Sequence, residues 1–367
     1  MKKRIGVLFG GKSGEHEVSI QSALNIFEAL DRDKYIPVLI GVDKEGNFRL
    51  LEGASQIVYK EDPKRIAISP VAAVVQPIKG ENSTLCFFYN ENGSFAEEVD
   101  FVFPIIHGSS GEDGCLQGFL KWLEVPFAGA SILGSSVGMD KDVTKRLLKE
   151  ANIDVCRFFT FSRADSEEGE YLKAAYELGF PLFVKPASSG SSLGISKVRN
   201  REELGKAVER AFMFDKKVML EEAVVGRELE CAVLGNEDVT ASCLGEIIPK
   251  HEFYSYDAKY VDPEGAKLVA PAEVPFEIEE KIRQTAIKAF KVLECEGMAR
   301  VDFFLSKEGR ILVNEINTLP GFTRISMYPR LWGLSGIAYS ELLDRLISLG
   351  FERFEKEKKL KTTAEFY

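Results

Sequence analysis

Apolar residues first gather in a short run, Arg4 to Phe9, that ends in Gly-Gly-Lys-Ser-Gly at 10–14. Val18, Ala23, Ile26 and Leu30 then recur at helical spacing, and Ile36 to Val42 is a second apolar run. This strand–loop–helix–strand order predicts a parallel α/β sheet with a glycine-rich loop at a helix N-terminus. Residues 46–98 alternate turn residues with short β-branched and aromatic runs, which predicts added hairpins. A further strand, Val99 to Ile106, runs into His-Gly-Ser-Ser-Gly-Glu-Asp-Gly at 107–114. Two loops thus follow strand C-termini, where open α/β sheets place ligands.

Near residue 130 the pattern changes. Helices are expected at Asp140 to Ala151, Glu167 to Leu178 and 201–212. Strands are expected at Phe158 to Ser162, Leu182 to Pro186, Ile195 to Val198 and Val218 to Glu221. Beyond 217 the runs suit antiparallel strands flanked by helices. The expected units are therefore an α/β domain at 1–129, a small α+β domain at 130–216 and a third at 217–367. No internal repeat or low-complexity segment interrupts them.

The 367 residues leave room for two or three domains, and 45% apolar with 28% charged residues is a soluble globular balance. A net charge of −10 repels a phosphate backbone, so no nucleic-acid partner is expected. The nearest basic run, Lys356 to Lys361, reads as a solvated helix end. Six cysteines (86, 115, 156, 231, 243 and 295) form no C-x-x-C pair, which suits free thiols in a reducing cytoplasm. Ile5 to Phe9 is too short for a signal peptide, and no window reaches the ~20 apolar residues of a membrane span. A cytoplasmic protein without a membrane partner is expected.

The strongest chemical signal is a hairpin. Residues 298–305 and 311–317 are β-like runs around Glu308-Gly309. With Lys307 opposite Arg310, Asp302 pairs with Glu315 and Arg300 with Asn317, and alternation puts all four on one face. A one-residue slip would break that alignment. Two carboxylates and an amide oxygen suit a hard cation such as Mg²⁺, with phosphates supplying further ligands. Arg300 adds positive charge for a developing anion. The competing reading is a solvent-facing salt-bridge ladder.

Other signals are weaker alone. Lys185-Pro186 precedes Ser-Ser-Gly-Ser-Ser-Leu-Gly, which offers backbone N–H groups and a lysine to phosphate but lacks the G-K-[ST] of a Walker loop. Lys141 sits at a helix start. Glu15 and Glu17 begin another, where acidic residues also simply favour the helix dipole. The dinucleotide pattern G-x-G-x-x-G is absent there, which counts against a nicotinamide dehydrogenase. His107 is either catalytic or a turn residue. The aromatic stretch 251–260 either anchors in a core or closes over a ligand.

In order along the chain, GGKSGEHEVS (10–19), HGSSGEDGCLQG (107–118), MDK (139–141), KPASSGSSLG (185–194), FYSYDAKY (253–260), RVDF (300–303) and NEINTLPGFT (314–323) resemble the D-alanine–D-alanine ligases of the ATP-grasp superfamily. The resemblance covers nearly the whole chain. It implies an ATP-grasp architecture: an N-terminal Rossmann-like α/β domain, a central lid and a C-terminal catalytic domain, with ATP gripped between the last two. It implies ATP, two D-alanine molecules and two Mg²⁺ ions, replaceable by Mn²⁺, and a homodimer in peptidoglycan precursor synthesis.

By motif position, the resemblance implies that Lys141 and Lys185 contact phosphates and that Ser191 and Ser192 lie against the nucleotide. Glu221, Glu222 and Val224 would line the adenine site, and Glu228 would hold the ribose. Asp302, Glu315 and Asn317 would bind the metal. Glu15 would take the first ammonium, with Ser191 and Tyr260 bonding towards it, and His107 would lie beside the first carboxylate. Lys259 would meet the transferring phosphate, Arg300 and the Gly321 amide the oxyanion, and Ser326 the second carboxylate. Relatives that make D-alanyl-D-lactate typically carry histidine where this chain has Tyr260, so dipeptide synthesis is expected. Met327 in place of a leucine common in the family leaves D-serine or D-lactate open. The remaining alternative is an ATP-grasp protein that binds nucleotide without turnover.

Overall fold

The computed structural model describes residues 1–164, 168–190, 193–249 and 266–361. Three main sheets carry the fold. The first begins with β1 (Lys3–Gly10), α1 (His16–Ala29) and β2 (Tyr35–Val42), and β1 pairs β2 in parallel. β3 (Phe48–Leu51), β6 (Ala73–Lys79), β7 (Leu85–Tyr89) and β8 (Phe95–Val99) extend it antiparallel, and β9 (Phe101–Pro104) closes its other edge beside β1. β4 (Ile57–Val58) and β5 (Ala67–Ile68) form a separate small ribbon. The 46–98 stretch is thus a set of hairpins that widens the parallel core. Gly10 ends β1 at φ +92°, and a Cβ there would lie 2.3 Å from the Val42 carbonyl oxygen. Glycine alone suits that exit.

Helices α2 (Cys115–Trp122), α3 (Ile132–Met139) and α4 (Lys141–Glu150) lead to the second sheet. Asp140 caps α4 by accepting hydrogen bonds from the Asp142 and Val143 amides, both at 3.1 Å. The second sheet has the order β10 (Phe158–Ser162), β13 (Lys217–Glu222), β11 (Leu182–Pro186), β12 (Ser196–Val198), and is covered by α5 (Glu168–Leu178) and α6 (Arg201–Ala211). The third sheet runs β16 (Ala266–Val269), β15 (Thr240–Pro249), β14 (Gly226–Gly235), β17 (Gly297–Ser306), β18 (Ile311–Asn317), all antiparallel. α7 (Phe276–Val292) packs on one of its faces. α8 (Met327–Leu334) and α9 (Tyr339–Lys358) link its other side to the first sheet.

Two expectations need correction. Val99 to Ile106 is not one strand: it breaks at Asp100, whose carboxylate accepts from Lys3 Nζ at 3.1 Å and the Arg4 amide at 2.7 Å. On α1, Val18 is only partly buried and faces a cavity, while Ile20, Ala23, Leu24 and Ile26 form the core face. That core is continuous: Ile5, Val7 and Phe9 join Tyr328, Trp332, Leu342 and Leu346 in one cluster. The six cysteines are free thiols. No described helix is long and apolar enough to cross a membrane.

Candidate active site

The third sheet puts a row of acids across three strands. Glu230 on β14 stands opposite Asp302 on β17, which stands opposite Glu315 on β18. Like charges so placed repel, and Arg300 and Lys141 offset them. Arg300 gives a bidentate pair to Asp302, with both bonds at 2.7 Å, and meets Glu230 at 3.1 Å. Lys141, at the start of α4, meets Glu315 at 3.3 Å. Burial alone would lower the Arg300 pKa, but Asp302 and Glu230 outweigh it and raise it well above the usual value. This row lines a cavity of about 630 Å³, so the solvent-facing ladder is not what forms.

The predicted pairs Asp302–Glu315 and Arg300–Asn317 are present, but the premise behind them is not. Near the turn the Ser306 amide bonds to the Arg310 carbonyl, one residue off the assumed register. A bulge then restores the alignment: Phe303 pairs Val313 while Asp302 pairs Glu315, leaving Asn314 extra. Asn314 lines the cavity as well, and its Oδ1 accepts from Lys185 Nζ at 3.4 Å.

Across the cavity lie Glu15, just before α1, and His107, after β9. Ser13 ties the two loops together, its Oγ donating to the His107 carbonyl at 2.7 Å and accepting from the Glu15 amide at 3.0 Å. His107 is buried, with Nδ1 3.1 Å from the Leu319 carbonyl and Nε2 3.4 Å from Ser22 Oγ. Burial lowers its pKa, with Glu15 opposing, so the ring is neutral at neutral pH.

Glu112, which the sequence reading passed over, also lines the cavity. It accepts from the Gly108 amide at 2.6 Å. Burial, then repulsion from Glu15, raises its carboxyl well above the usual 4.5. A carboxyl raised in the folded state favours folding most below its unfolded pKa, and that contribution is lost as pH rises towards the folded value. Glu112→Gln should therefore gain melting temperature relative to the parent as pH is raised from about 5 to 8 in ligand-free protein. A constant difference across that range would contradict the shift.

On the α4 side, Lys145 and Lys185 converge on Glu221. Lys145 Nζ lies 2.7 Å from one carboxylate oxygen and Lys185 meets the other. Burial works against that charge, but the two lysines win and bring the carboxyl down to about 2. Lys141 also donates to the Ser189 carbonyl at 2.9 Å. At the opposite rim, Ser326 precedes α8, and its Oγ accepts from the Thr323 amide at 2.9 Å. Gly321 lies so close that a Cβ there would sit 2.8 Å from that hydroxyl. Met327 reaches into the space above Gly245, whose Cβ would meet its terminal methyl at 2.0 Å.

Of the residues singled out from the sequence, Glu15, His107, Lys141, Glu228, Arg300, Asp302, Glu315, Asn317, Gly321 and Ser326 line one cavity. Lys185, Glu221, Glu222 and Val224 do not line it. Lys185 and Glu221 lie behind it through Asn314, and Glu222 accepts from Arg157 Nε at 2.8 Å. Ser191, Ser192, Lys259 and Tyr260 lie outside the described residues.

Residues 4–130 match the D-ala D-ala ligase N-terminus family model and residues 147–348 the corresponding C-terminus model. The chain belongs to the D-alanine–D-alanine ligase family. A D-alanine–D-alanine ligase of Oceanobacillus iheyensis is 48% identical over 363 residues, covering 99% of both chains. D-alanine–D-alanine ligase A of Escherichia coli K12 is 48% identical over 362 residues, again with 99% of each covered. Among solved structures, the Coxiella burnetii D-alanine–D-alanine ligase superposes with a TM-score of 0.83 at 38% identity, over 98% of this chain and 96% of that one. The VanG D-Ala:D-Ser ligase of Enterococcus faecalis gives 0.83 at 36%, over 95% and 100%. The mixed α/β architecture is the ATP-grasp fold of this family. Beyond the residues singled out from the sequence, the cavity also holds Glu112, Glu230 and Asn314. Glu230 had a sequence signal: with Glu228 it alternates with buried Leu229 and Cys231.

Proposed function

We propose that the chain is an ATP-dependent ligase that joins two D-alanine molecules, releasing ADP and phosphate. The observation that carries this is the acid row with Arg300 and Lys141 facing Glu15 and His107 across one cavity. In this reading the first D-alanine carboxylate attacks the γ-phosphorus of ATP, and the bond to ADP breaks. The second D-alanine amine attacks the acyl phosphate carbon. The tetrahedral intermediate expels phosphate as the peptide bond forms. Phosphoryl transfer asks chiefly for positioning and charge neutralisation, which Lys141 and Lys185 offer. Glu15 takes the first ammonium, with His107 beside its carboxylate. Arg300 and the Gly321 amide face the oxyanion, and Ser326 at the α8 N-terminus takes the second carboxylate. Glu228 holds the ribose, and Glu221, Glu222 and Val224 flank the adenine. The roles proposed for Ser191, Ser192, Lys259 and Tyr260 follow from motif position alone.

Asp302, Glu315 and Asn317 offer only oxygen donors on one sheet face, which fits a hard divalent cation such as Mg²⁺ or Mn²⁺. When bound, that cation would neutralise phosphate charge. Arg300 must then share Asp302, and Lys141 must share Glu315. The domain division at 129 and 216, a cytoplasmic homodimer and a place in peptidoglycan precursor synthesis belong to the same reading.

The test is phosphate release from ATP and Mg²⁺ with D-alanine, L-alanine as control, and mass spectrometry of the product. D-alanine-dependent release with the D-alanyl-D-alanine mass is expected. Release that persists without D-alanine would refute the reading. Offering D-serine or D-lactate alongside D-alanine decides how far Met327 relaxes the second site.

A further inference from the structure

Lys145 has no part in the chemistry proposed above, yet it is fully enclosed and its ammonium lies 2.7 Å from Glu221. It stands one turn beyond Lys141 on α4, so both leave the same helix face. One reaches Glu315 and the other Glu221. The second oxygen of Glu221 meets Lys185, whose ammonium also reaches Asn314 at the cavity wall. Two ammonium groups thus share one buried carboxylate, leaving the trio a net positive charge. Among the described residues, the other titratable groups nearby do not change that balance. The Cys156 thiol is pushed up to about 12 by burial and stays neutral, and Glu222 is held by Arg157. Glu315, beyond Lys185, is held by Lys141.

A buried pair that loses one partner leaves an uncompensated charge. We propose that Lys145 is a positioning residue: it keeps Glu221 compensated, so that the Lys185 ammonium is free to turn to the phosphates of the nucleotide. This rests on the ligase reading, in which Lys185 meets phosphate. With Lys145 in place, Glu221 retains a cation when Lys185 turns away. Without it, Glu221 must either hold Lys185 back or take up a proton from solvent as the nucleotide binds.

The experiment is ADP binding to the full chain by calorimetry at about pH 6.5 and 8.5, for the parent, Lys145→Met and Lys145→Arg, with thermal melting to check folding. Lys145→Met should bind ADP about tenfold more weakly than the parent at the higher pH, as expected for one pK unit of coupled protonation. The gap should narrow at the lower pH, because protonation of Glu221 then releases Lys185. Lys145→Arg should bind like the parent. Parent-like affinity of folded Lys145→Met at both pH values would overturn the proposal. So would an equal weakening at both, which marks a merely structural lysine. Should Lys145→Met not fold, Lys145→Met combined with Glu221→Gln removes the charge and its partner together. Its affinity relative to the parent should not change with pH, and a ratio that does would overturn the proposal. A parent chain that binds ADP but makes no dipeptide would count against the ligase reading and not against this one. Failure of the parent to bind ADP would sink both.

Discussion

Glu315→Gln is expected to cut the rate of D-alanine-dependent phosphate release by about 10³-fold, with little change in melting temperature. The substitution keeps shape and an oxygen towards Lys141 but removes the charge. Glu315 is partly exposed at the cavity wall, its side chain 31% accessible, so the fold does not depend on that charge. Its proposed duty is different: together with Asp302 it makes the hairpin face negative enough to hold a divalent cation against phosphate. A lost anionic ligand removes several kcal/mol of charge stabilisation, and each ~1.4 kcal/mol is tenfold in rate. Steady-state kinetics at saturating ATP, D-alanine and Mg²⁺ are the measurement. A rate within tenfold of the parent would mean that Glu315 serves Lys141 alone.

The hairpin also shows what was legible in the sequence and what was not. Period-two alternation correctly placed Arg300, Asp302, Glu315 and Asn317 on one face. The turn, however, closes one residue away from the assumed register, and carried through without correction it would have set Asp302 against Asn314. The bulge at Asn314 cancels the error. A bulge of this kind follows from three-dimensional packing, and Asn-Glu-Ile-Asn carries no glycine to announce it. The helices and strands between 140 and 222 were legible because each is bounded by turn residues and keeps one period, but α3 (Ile132–Met139), with two glycines and two serines in eight residues, was not.

Buried charge was not legible. Glu112, Lys145 and Glu230 were not singled out from the sequence, because charged side chains are rarely buried unless paired. The partners of two of them lie far away in sequence, Glu221 for Lys145 and Arg300 for Glu230, while Glu112 accepts from the nearby Gly108 amide. The single local hint for Lys145 was its place one turn after Lys141. The family resemblance supplied roles for some motif positions but none for these supports: Glu112 lies inside the 107–118 motif, while Lys145 and Glu230 lie outside the motifs.

Arg300→Met is expected to lower the stability of the metal-free, nucleotide-free protein by about 3–5 kcal/mol, the range for breaking a buried ion pair on one side. Glu230, Asp302 and Glu315 lie side by side across three strands, and the Arg300 side chain, 17% exposed, sits against the first two. Removing it takes away the guanidinium that meets both Asp302 and Glu230, whose side chain is only 4% exposed. Methionine can fill much of the volume but none of the charge. Activity should also be lost, since the same guanidinium is proposed to face the oxyanion. Adding Glu230→Gln to Arg300→Met separates the two effects. With one carboxylate neutral, most of the lost stability should return in urea unfolding, while dipeptide synthesis stays absent. Stability that does not recover would mean that Arg300 holds the strands by packing and not by balancing the acid row. Activity that recovers with it would mean that Arg300 supports the sheet and leaves the oxyanion to other donors.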